Sequence, residues 1–287
     1  KIYFLLGVPW HGNMGDQAIV FSERIFLKKV SNKTVIEIPS QYLMWYFQAF
    51  KKLINNHDIL VHGGGFIGPH RENDTYFSAY MADQIHGITV DLDYTLSDAA
   101  PYPVALHQCM DALDYVAEHA NTWGASAKDI SVGGYSAGGA LTAAMGICCA
   151  ERGGFVPKLQ ILCYPPLEYR IPDQYKIDAY DRQIGMERCK AFADLYFDDK
   201  KENFEDIHNS PLYAPREILA KQPKTLILSA GLCNFRYEDE DYAICLADAG
   251  AEVILKRFPE ASHGFIPHFM DGWKEAADLM VREILEK

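Results

Sequence analysis

The sequence predicts an α/β protein: a doubly wound, mostly parallel sheet in a three-layer sandwich. Three observations predict it. Short runs rich in Val, Ile and Leu recur without polar alternation, as strands buried on both faces do. Helix-length amphipathic stretches separate them, giving a βαβα rhythm. Glycine-rich segments follow two of the runs, where backbone can turn toward a ligand without Cβ obstruction. A chain of 287 residues, 49% hydrophobic and 23% charged, is long enough for one large domain or two smaller ones.

The strand candidates in chain order are 2–6, 34–38, 58–62, 88–93, 129–134, 158–164, 224–230 and 252–258. Helix candidates fall between them at about 16–30, 41–55, 74–86, 103–121, 137–151, 238–249 and 271–286. No internal repeat or low-complexity linker is present. The segment 168–222 breaks the rhythm. It is aromatic and charged, carries Pro172, Pro211 and Pro215, and is expected to be an insertion that caps the strand ends. The expected organisation is a Rossmann-like βαβα segment over 1–57, continuing into the sheet, and a core over 58–287 with a cap at about 168–222.

Composition removes several classes of partner. A formal net charge of −12 argues against nucleic acid and against an anionic membrane surface. No apolar run approaches the ~20 residues that span a bilayer. Seven cysteines, without paired metal-type spacing, read as buried, reduced thiols. With no secretory leader legible, the expected compartment is the cytoplasm. The reading needs no cofactor and no metal.

The chemistry-bearing segment is Gly134-Tyr135-Ser136-Ala137-Gly138, after the run Asp129–Gly133 and before Ala140–Met145. A serine with glycines two residues to either side, at a strand-to-helix turn, is the nucleophile-elbow pattern. His62-Gly63-Gly64-Gly65-Phe66 follows the run Asp58–Val61. The N–H groups of Gly64 and Gly65, with that of Ala137, would form an oxyanion hole. A tight turn or a phosphate cradle fits the same glycines equally well. Ser262-His263-Gly264-Phe265 follows the last strand candidate, so His263 is the expected base. His107, His119 and His208 have no comparable placement.

The acid is harder to place. A carboxylate should follow the penultimate strand to orient the imidazole. The first one there, Glu238, falls inside a helix, where it reads as a charge favoured by the helix dipole.

From about residue 58 onward the chain resembles the hormone-sensitive-lipase-like branch of the α/β-hydrolases. The resemblance rests on His62–Phe66, Asp93-Tyr94 with Pro101-Tyr102-Pro103, the Gly134–Gly138 elbow, Tyr164-Pro165, Ser210-Pro211-Leu212-Tyr213 and Ser262–Phe265, in the family's order. It implies a carboxylesterase acting on a small-molecule ester. Ser136 would be nucleophile, His263 base, and Gly64, Gly65 and Ala137 oxyanion donors. The chain departs from the family at one point: aligning Arg236-Tyr237-Glu238 with the family's acid motif puts Cys233 where an aspartate belongs. Glu168, after the strand ending at Tyr164, is the alternative acid, and Asn234 could orient the ring without charge.

The first 57 residues resemble a different family. Gly12-Asn13-Met14-Gly15-Asp16-Gln17-Ala18-Ile19 is similar to the N-terminal signature of the polysaccharide pyruvyl transferases, and Asp58–Gly65 fits a second motif of theirs. The chain thus reads as a chimera joined at a motif that both families share. Three functions follow. The leading one is a serine esterase for short acyl groups, acetyl among them, with a homodimer as the expected assembly. The others are a pyruvyl-transferase-like glycan-modifying enzyme and a hydrolase fold impaired in catalysis by Cys233.

Overall fold

The computed structural model describes residues 3–8, 35–39, 57–171, 184–198, 200 and 202–286. The chain divides into two units, one centred on residues 1–54 and one formed by 55–121 with 125–287. In the first, β1 (Tyr3–Val8) pairs in parallel with β2 (Val35–Pro39), Tyr3 opposite Val35 and Leu6 opposite Ile38. The helix candidates 16–30 and 41–55 and the Gly12–Ile19 motif lie outside the described residues.

The second unit is built on six parallel strands. They are β3 (His57–Val61), β4 (Ile88–Leu92), β5 (Ile130–Tyr135), β6 (Leu159–Cys163), β7 (Lys224–Ala230) and β8 (Val253–Phe258). Their spatial order is β4-β3-β5-β6-β7-β8. The chain therefore moves outward from β3 to β4, then crosses back to β5 and proceeds the other way. This reversal makes the carboxyl ends of β3 and β5 a topological switch point, the place where such sheets leave a crevice. Val61 pairs with Gly134 across that boundary, so the loops after both strands emerge side by side.

The central strands are apolar on both faces, and each face has its own helices. The longer ones are α1 (Glu72–Ile85), α2 (Val104–His119), α3 (Ala137–Arg152), α4 (Met186–Phe197), α5 (Arg236–Ala249) and α6 (Trp273–Leu285). On one face Leu60, Ile161, Leu226 and Leu228 meet Phe77 and Met81 of α1 and Met280 and Ile284 of α6. On the other, Leu162 and Ile227 meet Ala143 and Ile147 of α3 and Tyr242 and Leu246 of α5. Ile161 against Leu162, and Leu226 against Ile227, show the alternation of a pleated strand. Helices on both faces turn that alternation into a continuous apolar run in sequence. α4 lies within the segment expected to be a cap and was not legible as a helix.

Candidate active site

Ser136 stands between β5 and α3 with φ 53° and ψ −120°, a left-handed backbone conformation that costs a non-glycine residue strain. The turn is tight enough to require its glycines. A Cβ on Gly134 would lie 2.3 Å from the Gly138 carbonyl oxygen, and one on Gly138 would lie 2.1 Å from that of Val61. The Ser136 N–H donates to the Cys163 carbonyl at 2.9 Å, tying the turn to the end of β6. The hydroxyl is thus held above the sheet at the switch point.

The glycine loop leaves β3 beside it. A Cβ on Gly63 would stand 3.4 Å from the Ser136 Cβ, a measure of how closely the loop passes the serine. His62 props the loop from beneath. Its ring stacks on Tyr94 at 4.4 Å, and Tyr94 donates its hydroxyl proton to the His62 carbonyl at 3.2 Å. Burial pushes the His62 pKa down, which keeps the ring neutral. Gly64 and Gly65 line the space in front of Ser136. Gly65 and Ala137 also line a smaller recess on the other side of the hydroxyl.

His263 follows β8 and reaches the elbow. Its Nε2 lies 2.9 Å from the Ser136 hydroxyl oxygen. Its Nδ1 lies 3.1 Å from the Cys233 sulfur. Cys233 sits in the turn after β7, 3% exposed, and its sulfur also accepts the Phe235 N–H at 3.4 Å. Tyr164 and Phe235 approach the imidazole edge-on at 5.0 and 5.7 Å. This apolar setting lowers the His263 pKa to about 4, chiefly by desolvation, with smaller contributions from the charges of Arg188 and His268. Burial drives the Cys233 pKa well above its usual value, and the neighbouring Asp239 and Glu238 carboxylates add to the shift. The sulfur beside Nδ1 is therefore a neutral thiol.

Glu168, the expected acid, has backbone partners within its own segment. Glu168 is 4% exposed, and its Oε1 accepts the N–H groups of Arg170 and, at 2.9 Å, Ile171. The carboxylate closes the turn that begins its own segment, while Nδ1 of His263 faces Cys233. Glu238 is engaged elsewhere too, accepting the Leu167 N–H at 2.7 Å. Asn234 donates to the Ile184 carbonyl at 2.8 Å. Sequence reasoning missed two residues of α4. Phe192 lies against Gly65, where a Cβ would come within 2.6 Å of its ring, and Arg188 lines the site. The spacing of Cys189, Phe192 and Tyr196 at helical intervals was the available signal, obscured by the surrounding charges and prolines.

A parallel sheet with this switch point, a strained serine turn and a histidine after the last strand define an α/β hydrolase. The family model described as the alpha/beta hydrolase fold matches residues 59–267, and the chain belongs to that family. Among its relatives is the esterase LipI of Mycobacterium tuberculosis, 30% identical over 210 residues, 71% of this chain and 64% of LipI. Bovine hormone-sensitive lipase is 30% identical over 105 residues, 37% of this chain and 14% of that protein. The chain thus spans less than two thirds of the length of either. An esterase from Rhizomucor miehei is structurally similar, with a TM-score of 0.75 and 27% identity, covering 82% of this chain and 75% of that one.

Proposed function

We propose that this chain is a serine carboxylesterase for short acyl esters, acetyl esters foremost, with Ser136 as nucleophile and His263 as base. The observation that carries the reading is the 2.9 Å contact of His263 Nε2 with the Ser136 hydroxyl at the switch point of the sheet. For Nε2 to accept the serine proton, the neutral imidazole must carry its own proton on Nδ1. That N–H then donates to the Cys233 sulfur. Ser136 attacks the ester carbonyl as Nε2 takes its proton. The N–H groups of Gly64, Gly65 and Ala137 receive the developing oxyanion. The imidazolium passes its proton to the leaving alcohol, and water repeats the cycle on the acyl-enzyme.

The recess beside Ala137 supports a small acyl group. Its volume is ≈ 30 Å³, and Phe192, Phe235 and Pro166 wall it. Hydrolysis of 4-nitrophenyl acetate by wild type and by Ser136→Ala tests the reading, together with labelling by a fluorophosphonate. Equal rates in the two proteins, or no label on Ser136, would end it.

Residues 1–57 carry a separate reading, a segment similar to the polysaccharide pyruvyl transferases. The parallel pairing of β1 with β2 is what such a unit needs. A thermal shift with phosphoenolpyruvate tests it, and no shift would leave the esterase reading alone. No helix among the described residues is long and apolar enough to cross a membrane. All seven cysteines are free thiols, in keeping with a cytoplasmic setting. Light scattering in solution separates monomer from homodimer.

A further inference from the structure

Two cavities flank Ser136, and they differ in size and in charge. The smaller, ≈ 30 Å³, is the apolar recess beside Ala137. The larger, ≈ 220 Å³, is lined by His263, Arg71, Arg188, Asp74 and His268. In an esterase of the kind proposed above, His263 must hand its proton to the leaving oxygen. The alcohol portion therefore lies on the side that His263 lines, which is the larger cavity alone. The acyl group takes the smaller one.

The alcohol side is cationic. Arg71 and Arg188 both line it, and neither guanidinium has a carboxylate within ion-pair distance among the described residues. Arg188 rests over the Phe192 ring, 5.2 Å from its centre, and both residues line the cavity. Its charge reaches the reacting groups, since after desolvation it is the next influence lowering the His263 pKa. Among the described residues one carboxylate lines the cavity. Asp74 is 7% exposed and accepts the Arg71 backbone N–H at 2.9 Å, capping α1. His268 shares its Nδ1 with the Asn73 side-chain amide at 3.1 Å. The guanidiniums therefore outnumber the carboxylate in a chain whose net charge is −12.

Arginine's planar fork matches a carboxylate, and two arginines at one mouth give that group a place to dock. We propose that the preferred substrates are acetyl-type esters whose alcohol portion bears a carboxylate, held by Arg71 and Arg188 while Ser136 attacks the carbonyl. The inference rests on the esterase reading and adds the substrate class. It predicts that the larger cavity selects by charge and the smaller one by size.

The test compares kcat/KM for 4-acetoxybenzoate and for the neutral 4-acetoxybenzamide. The ratio of the two is expected to fall about fivefold in Arg71→Gln or Arg188→Gln, and further in the double variant, as for solvent-accessible ion pairs. Any change in His263 basicity on removing Arg188 acts on both esters and cancels in the ratio. Added salt should lower the wild-type ratio as well. A readout without variants is competitive inhibition of 4-nitrophenyl acetate hydrolysis, in which 4-hydroxybenzoate should bind about fivefold tighter than 4-hydroxybenzamide. Equal ratios in wild type and double variant, or equal inhibition by the two phenols, would overturn the inference and leave the esterase reading standing. Failure of wild type to hydrolyse 4-nitrophenyl acetate would instead remove the esterase reading itself.

Discussion

The two nitrogens of His263 meet very different partners. On the Nε2 side the chain accepts a strained serine backbone, and glycines where a Cβ would lie 2.1 and 2.3 Å from carbonyl oxygens, to hold one hydroxyl in place. On the Nδ1 side the turn after β7 offers a sulfur at 3.1 Å, itself fixed by the Phe235 N–H. Both sides satisfy the imidazole geometrically. Only a carboxylate would also satisfy it electrostatically, because an imidazolium forms during attack and a neutral thiol cannot balance its charge. A hydrogen-bond position beside Nδ1 is filled here without the charge that usually goes with it. Burial, with no charge at that position to offset it, lowers the imidazole pKa to about 4.

The largest test of this contrast is Ser136→Ala, which should lower kcat on 4-nitrophenyl acetate by about 10⁴ or more, as loss of a nucleophile does. Next comes Cys233→Asp. A carboxylate beside Nδ1 holds the productive tautomer and stabilises the imidazolium, so kcat should rise by about 10²; full loss of such a carboxylate costs about 10⁴ in a triad that has one. The same variant should lower the melting temperature, because the new charge is buried near Asp239 and Glu238. Activity up with stability down would be the signature of a missing acid. Unchanged activity in a folded variant would show that the thiol side is not limiting.

The pH profile sharpens the comparison further. The base must be neutral, so kcat/KM in wild type should stay level down to about pH 4, the value to which burial lowers His263. In Cys233→Asp the adjacent negative charge favours the protonated ring, and the acid limb should move upward toward the ordinary histidine value. A wild-type limb already near 6.5 would contradict a desolvated imidazole without a carboxylate partner. Cys233→Ala should cost about threefold to tenfold in kcat, the loss of one weak acceptor. The smallest effect is expected from Glu168→Gln. Its amide oxygen can still accept the N–H groups of Arg170 and Ile171, so kcat/KM should change by no more than about threefold.

Much of the site was legible because its parts are local. The glycines of the elbow stand within five residues, and their need is steric at short range. His263 could be placed by its position after the last apolar run. All eight strand candidates correspond to strands among the described residues, and the fully buried β5 and β6 show how burial on both faces leaves an apolar run. The acid was not legible. Glu168, Glu238, Asn234 and Cys233 all follow carboxyl ends of strands, and nothing in their spacing says which one the imidazole meets. That depends on where each turn points. Glu168 accepts N–H groups of its own segment, and Glu238 accepts that of Leu167, a contact that only the packing of α5 against the loop after β6 creates.

The sequence by itself determined the parallel sheet, the strained serine turn, the glycine loop beside it and the histidine after the last strand. Each is dictated by residue type over a few positions. Only the tertiary structure decided what lies between them: the order β4-β3-β5 that sets the loop beside Ser136, the thiol that faces Nδ1, and the phenylalanine and arginine that α4 brings to the cavities. Those contacts join residues from different strands and helices. Their free energy comes from burial and charge across the fold, which no local pattern records.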